Sequence, residues 1–163
     1  AYFLNDQISQ ALQQFWREGR AFSFLHITGE NSFEQVRGFY REHAMLGSRG
    51  SVYSYFEDMG KAYQAADLVI ARAGAMTCLE LLYFKKQSLL VPLGISAEGH
   101  QEQNARYLER HGIATIIFED EHFKENLLEA FNRGLAGLPR LMRPPMPLLP
   151  TRPIVLNGLI HRG

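Results

Sequence analysis

Residues 67–104 read DLVIARAGAMTCLELLYFKKQSLLVPLGISAEGHQEQN, and the order of apolar runs and breaks within them sets the fold. Leu68–Ala71 has the length of a buried strand, and Arg72-Ala73-Gly74 interrupts it. Met76–Tyr83 then reads as a helix, Ser88–Val91 as a second strand closed by Pro92, and GHQEQN as a polar entry into another helix. Strands joined through helices in this way pair in parallel, and a parallel sheet needs helices on both faces.

The same alternation extends in both directions. Upstream, Asn5 or Asp6 is expected to cap a helix that carries Ile8, Leu12 and Phe15 and ends near Gly19. Ala21–Ile27 reads as a buried strand broken at Thr28-Gly29, Phe33–His43 as a helix, Ser51–Tyr55 as a short strand, and Asp58 as the cap of a brief helix reaching Ala65 or Ala66. Downstream come a helix over Gln101–His111, a strand over Ile113–Phe118 and a helix over Phe123–Ala136. The fold class expected is α/β, a doubly wound parallel sheet with right-handed crossovers, whose ligands sit beyond the carboxyl ends of the strands. The composition changes after Leu138, where six of the seven prolines fall between Pro139 and Pro153. Residues 1–138 are therefore expected to be one domain, and residues 139–163 a proline-rich tail of irregular or polyproline II backbone.

Charge and composition narrow the function. Seventeen basic and seventeen acidic residues cancel, so no overall field favours nucleic acid or an anionic membrane. Cys78 is the only cysteine, which excludes a disulfide framework and a cysteine zinc site and fits a reducing, cytoplasmic compartment. No apolar stretch approaches the ~20 residues needed to span a bilayer. The six histidines show no HxxxH or HExxH spacing and no Asp-x-Asp occurs, so neither a metal nor another cofactor is expected. The absence of a nucleophile elbow, a P-loop and a GxGxxG turn leaves hydrolase, kinase and dehydrogenase readings without support. Ala1 in place of Met is read as the start of a fragment.

Four clusters could carry a ligand. In Arg72-Ala73-Gly74-Ala75-Met76-Thr77 a strand ends and a helix begins, with Gly74 expected in a backbone conformation that a side chain would forbid. The amides of Ala75, Met76 and Thr77 would be first-turn donors at the positive end of the helix dipole, where a diphosphate fits without metal. The same turn also serves any ordinary strand-to-helix junction. Glu80 stands one and a half turns further on among Cys78, Leu79, Leu81 and Leu82; a carboxylate so near an apolar face needs partners such as ribose hydroxyls, unless it is simply solvated. His100, Gln101 and Asn104 gather at the second strand-to-helix transition, with Gln101 and Asn104 on one helix face where both amides suit a polyol, while Glu102 and Gln103 suit capping and surface polarity. Ser54–Met59 follows another strand and puts Phe56 at the ligand edge of the sheet, for stacking on a planar base, for backbone contacts to it, or for core packing. Glu119-Asp120-Glu121 reads as a solvated turn before a helix.

Taken together, Ala66-Asp67, Arg72 to Glu80 and His100 to Ala105 resemble the bacterial N-acetylglucosaminyltransferases that make lipid II from lipid I in peptidoglycan synthesis. The resemblance covers Ala1 to about Ala136. It implies the nucleotide-sugar half of a two-domain GT-B enzyme that uses UDP-N-acetylglucosamine with inversion. By position, Phe56 would meet uracil, Ala75 to Thr77 the diphosphate, Glu80 the ribose, and His100 and Gln101 the N-acetylglucosamine, with Thr28 nearby; Arg72, Gly74 and Asn104 of the same motifs are counted among the substrate-binding residues. The resemblance places the lipid I acceptor and the catalytic base in the other half, which docks on the cytoplasmic face of the inner membrane, so no catalytic residue is assigned here. Ala1 would be the last residue of the family's glycine-rich turn, and the strand before that turn, central in the sheet, would be missing. Lys85-Lys86-Gln87-Ser88 stands where the family has a proline, and the proline-rich tail replaces its closing helix. A UDP-N-acetylglucosamine 2-epimerase shares fold and ligand, but would need carboxylates around the sugar where GHQEQN offers amides. A non-catalytic, split nucleotide-sugar-binding subunit is the third reading.

Overall fold

In the computed structural model, residues 2–94, 99–136 and 153–157 are described, the last five and residues 135–136 by their backbone alone. The elements run α1 (Tyr2–Arg17), β1 (Ser23–Ile27), α2 (Glu30–Glu42), β2 (Gly50–Tyr53), α3 (Met59–Ala65), β3 (Val69–Ala71), α4 (Ala75–Phe84), β4 (Ser88–Leu90), α5 (His100–Arg110), β5 (Ala114–Ile116), α6 (Phe123–Ala136) and β6 (Pro153–Asn157). One six-stranded sheet carries them in the order β2-β1-β6-β3-β4-β5, with every neighbouring pair parallel.

The period-2 alternation of the strands explains the two faces. Phe24, Ile70 and Leu89 point to one side, where they pack with Leu4, Ile8, Leu12 and Phe15 of α1, Tyr40 of α2 and Phe131 of α6. Ile27, Val69, Ala71 and Leu90 point to the other, against Tyr63 of α3, Cys78 and Leu81 of α4, and Leu108 of α5. Each helix buries one apolar stripe, and the sheet between them is covered on both faces, as parallel sheets require. Asp58 caps α3 as expected, its carboxylate accepting from the Lys61 amide at 3.0 Å.

Two expectations change. Helix α1 starts at Tyr2, not at a cap on Asn5 or Asp6; Asn5 lies inside the helix, buried, with its side chain committed elsewhere. And residues 153–157, assigned to an irregular tail, form β6, inserted between β1 and β3 where a central strand was expected to be missing. Pairing along both edges overrides the proline-rich composition, and the strand opens on Pro153, a first position that tolerates the lost N–H. The remaining tail residues lie outside the described set.

Candidate functional site

The sheet reverses its winding between β1 and β3, with β2 on one side and β4 and β5 on the other. Ligand crevices in open α/β sheets lie at such a reversal, beyond the carboxyl ends. Ile27, Asn157 and Ala71 are in register across β1, β6 and β3, so the turns beginning at Thr28 and Arg72 stand two strand spacings apart, roughly 10 Å.

The turn after β1 is held from beneath by a buried polar network. Asn5 Nδ2 donates to the Thr28 carbonyl at 2.9 Å, which leaves Asn5 Oδ1 to accept from His26 Nε2 at 3.1 Å. His26 Nδ1 is then the acceptor for the Tyr40 hydroxyl at 2.8 Å, and the imidazole is the neutral Nε2–H tautomer. Burial pushes the His26 pKa down to about 3 and that of the Tyr40 phenol up. Ser9 Oγ donates to the Asn5 carbonyl at 2.7 Å and fixes the base of the network. Thr28 itself is buried, and its hydroxyl donates to the Gly29 carbonyl at 2.9 Å while its amide donates to the Tyr53 carbonyl. What the turn offers is therefore backbone, with Gly29 at φ 75° opening α2, a left-handed conformation that favours glycine.

The turn after β3 is the more open one. Gly74 is the N-cap of α4, and its carbonyl accepts the Cys78 amide at 2.9 Å. Its φ of −64° and ψ of 149° are extended and open to any residue, so the expected special conformation is absent. A Cβ there would come no closer than 3.9 Å to Thr77 Oγ1; what glycine supplies is an unshielded helix end. Ala75 and Met76 are exposed and Thr77 is half-buried. No acidic residue stands in the first turn, and helical geometry leaves these three amides without a carbonyl one turn back.

Glu80 is half-buried and accepts from the Tyr63 hydroxyl at 3.0 Å, so α3 fixes one carboxylate oxygen, Oε2. Tyr63 was not anticipated as this partner. Phe56 is half-buried beside the same apolar cluster, its ring 5.3 Å from that of Tyr53 in an edge contact. His100 is exposed at the first position of α5, after Gly99 in the left-handed region.

Three of the side chains expected at a ligand also bond to the scaffold. Arg72 is 5% exposed; it donates to the Val91 carbonyl at 3.3 Å and pairs with Glu119 at 2.5 Å, joining the end of β3 to the loop after β5. Glu119 to Glu121 form an exposed turn as expected, and Glu119 is in addition the ion-pair partner of Arg72. Asn104 Nδ2 donates to the Ala73 carbonyl at 3.1 Å and so steadies the Gly74 turn from α5. Gln101 Oε1 accepts from the Leu93 amide at 3.1 Å, closing the loop after β4. These bonds position the turns: Arg72 through Val91 and Glu119, Asn104 through the Ala73 carbonyl, and Gln101 through the Leu93 amide. One signal for the missed network was present, a histidine within the apolar strand AFSFLHI, since a buried polar group needs partners.

The architecture is the Rossmann-like half of a GT-B glycosyltransferase. The chain belongs to the family described as the glycosyltransferase family 28 C-terminal domain, whose model matches residues 1–143. It is 35% identical over 138 residues to a Solibacter usitatus protein named UDP-N-acetylglucosamine–N-acetylmuramyl-(pentapeptide) pyrophosphoryl-undecaprenol N-acetylglucosamine transferase, covering 85% of this chain and 37% of that one. An Azoarcus relative of the same name is 39% identical over 127 residues, 78% of this chain and 35% of that one. A crystal structure of Acinetobacter baumannii MurG superposes with a TM-score of 0.71 at 31% identity, covering 83% of this chain and 38% of that chain. The chain thus spans a little over a third of the length of these relatives.

Proposed function

We propose that residues 1–138, completed by β6, form the donor-binding domain of an inverting N-acetylglucosaminyltransferase, and that the donor is UDP-N-acetylglucosamine. The observation that carries this reading is the uncapped N-terminus of α4 with the anchored Glu80 one and a half turns along the same helix. The diphosphate lies on the amides of Ala75, Met76 and Thr77, stabilised by aligned peptide dipoles and without a metal. The ribose hydroxyls donate to Glu80, whose orientation Tyr63 sets. Phe56 and its backbone meet the uracil, and His100 and Gln101 line the N-acetylglucosamine side with the Thr28 turn. Arg72 and Asn104 hold the diphosphate turn in place.

In the whole protein the acceptor is lipid I and the product lipid II, at the cytoplasmic face of the membrane. Among the described residues no helix is long and apolar enough to cross a bilayer. A base outside these 163 residues takes the proton of the acceptor hydroxyl as it attacks the anomeric carbon, and the α4 dipole stabilises the departing UDP. The chain by itself is therefore expected to bind donor weakly and to show no turnover.

Calorimetric titration with UDP-N-acetylglucosamine and UDP-glucose tests the reading. The first should bind more tightly, and Glu80→Ala should weaken both at least tenfold, since hydrogen bonds to a charged group contribute ~1.5–3 kcal/mol. Equal binding by the variant would refute the ribose assignment.

A further inference from the structure

Among the described residues, two buried side-chain polar atoms have no hydrogen-bond partner, Arg72 Nε and Ser32 Oγ. Arg72 places its other two guanidinium nitrogens on Val91 and Glu119, whereas Ser32 has no second polar atom in its side chain. Ser32 is 2% exposed and stands in the first turn of α2. Burying a hydroxyl without a partner is costly, and folded interiors give nearly all such groups one. A recess between α1 and α2 reaches this residue. It is lined by Asn5, Asp6 and Ser9 from α1 and by Ser32 and Gln35 from α2, and offers about 60 Å³ to the centre of a water-sized guest. Roughly 10–15 Å³ of such space holds one water. The recess is therefore polar and roomy enough for water, and too small for an organic ligand.

We propose that this recess is a buried-water site, in which one bound water bridges Ser32 Oγ of α2 to Ser9 Oγ of α1. The hydrogen-bond inventory fixes the directions. Ser9 uses its single hydrogen on the Asn5 carbonyl at 2.7 Å, so its oxygen serves the water as an acceptor. The water accepts from the Ser32 hydroxyl, donates to Ser9 Oγ, and gives its other hydrogen to the carboxylate of Asp6 at the rim, which makes three bonds, the usual number for an internal water. Charge argues for a neutral guest. Asp6 repels an anion, and the positive end of the α2 dipole opposes a cation beside Ser32. Ser9 is also the base of the network that holds the Thr28 carbonyl through Asn5, so the water ties the first turn of α2 to the same support and fixes the Thr28-Gly29 turn from both sides. The value of that turn to a ligand rests on the donor-site reading, while the water site itself does not.

The test uses the full chain and its Ser32→Ala, Ser9→Ala and doubly substituted variants. A crystal structure of the unaltered chain that resolves ordered solvent should show a water within hydrogen-bond distance of both hydroxyls, and the Ser32→Ala crystal should lack it. Ordered solvent elsewhere with none between Ser9 and Ser32 overturns the proposal. In urea titrations Ser32→Ala should raise the unfolding equilibrium constant by roughly five- to tenfold, since the water and its partners lose a bond. An idle hydroxyl would behave in the opposite way: its removal would leave stability unchanged or raise it, and either result overturns the proposal. The two hydroxyls share no direct bond, so the water is what couples them. Each single substitution should release it, and the double variant should therefore unfold with a constant at least threefold smaller than the product of the two single effects. Effects that multiply independently overturn the bridge. Should Ser9→Ala fail to fold, the ordered water and the Ser32→Ala titration decide.

Discussion

His26 ties a titration to the geometry of the Thr28 turn. Its imidazole is neutral in the fold, with a pKa near 3 against an ordinary value of 6.5, because burial penalises the charged form. The unfolded chain therefore binds the extra proton between these two values, so the stabilisation is complete above pH 6.5 and falls as the pH drops toward 3. Between pH 7 and pH 5 this group alone is expected to cost about 2 kcal/mol of folding stability, and His26→Gln should flatten that slope in urea titrations. Cys78 reports the other face of the sheet. Burial pushes its thiol up to about 11, overriding its position early in α4. The folded chain should react with thiol reagents at pH 8 roughly two orders of magnitude more slowly than free cysteine, and at the free rate in denaturant.

At the scale of elements, close packing between neighbours sets the tolerances. Gly50 opens β2 opposite Phe24, and a Cβ there would lie 2.0 Å from the Met45 carbonyl oxygen and 2.8 Å from the Phe24 ring. Gly50→Ala is expected to destabilise by about 3 kcal/mol, read from the denaturation midpoint, because a backbone carbonyl cannot move aside as a side-chain end can. Most elements are legible in the sequence because apolar period and local breakers agree: Asp58 before α3, Gly74 before α4 and Gly112 after α5 all mark real ends. The start of α1 is not, because Asn5 looks like a cap until its tertiary partners Thr28 and His26 are known. The candidate site divides along the same line. The open helix end and Glu80 follow from local sequence, whereas the roles of Arg72, Gln101 and Asn104 depend on bonds to Glu119, Leu93 and Ala73. Arg72 and Glu119 lie 47 residues apart, a separation that spacing rules do not reach.

Over the whole molecule, the sheet is completed by a segment that local sequence argues against. Five prolines in residues 139–152 mark irregular backbone, and only the two facing edges of β1 and β3 make a strand of residues 153–157. With β6 in place, the two halves of the sheet bring the Thr28 and Gly74 turns to the same edge of the sheet, with Tyr63 of α3 bonded to Glu80 and Asn104 of α5 to the Ala73 carbonyl. The central claim is that a nucleotide diphosphate sits on the first turn of α4. Heteronuclear NMR of the labelled chain, titrated with UDP-N-acetylglucosamine, tests it most directly. The amides of Ala75, Met76 and Thr77 should show the largest shifts, moving with a single saturating affinity, and UDP alone should reproduce them. Saturable binding whose largest shifts fall elsewhere, with these three amides unmoved, would contradict the account.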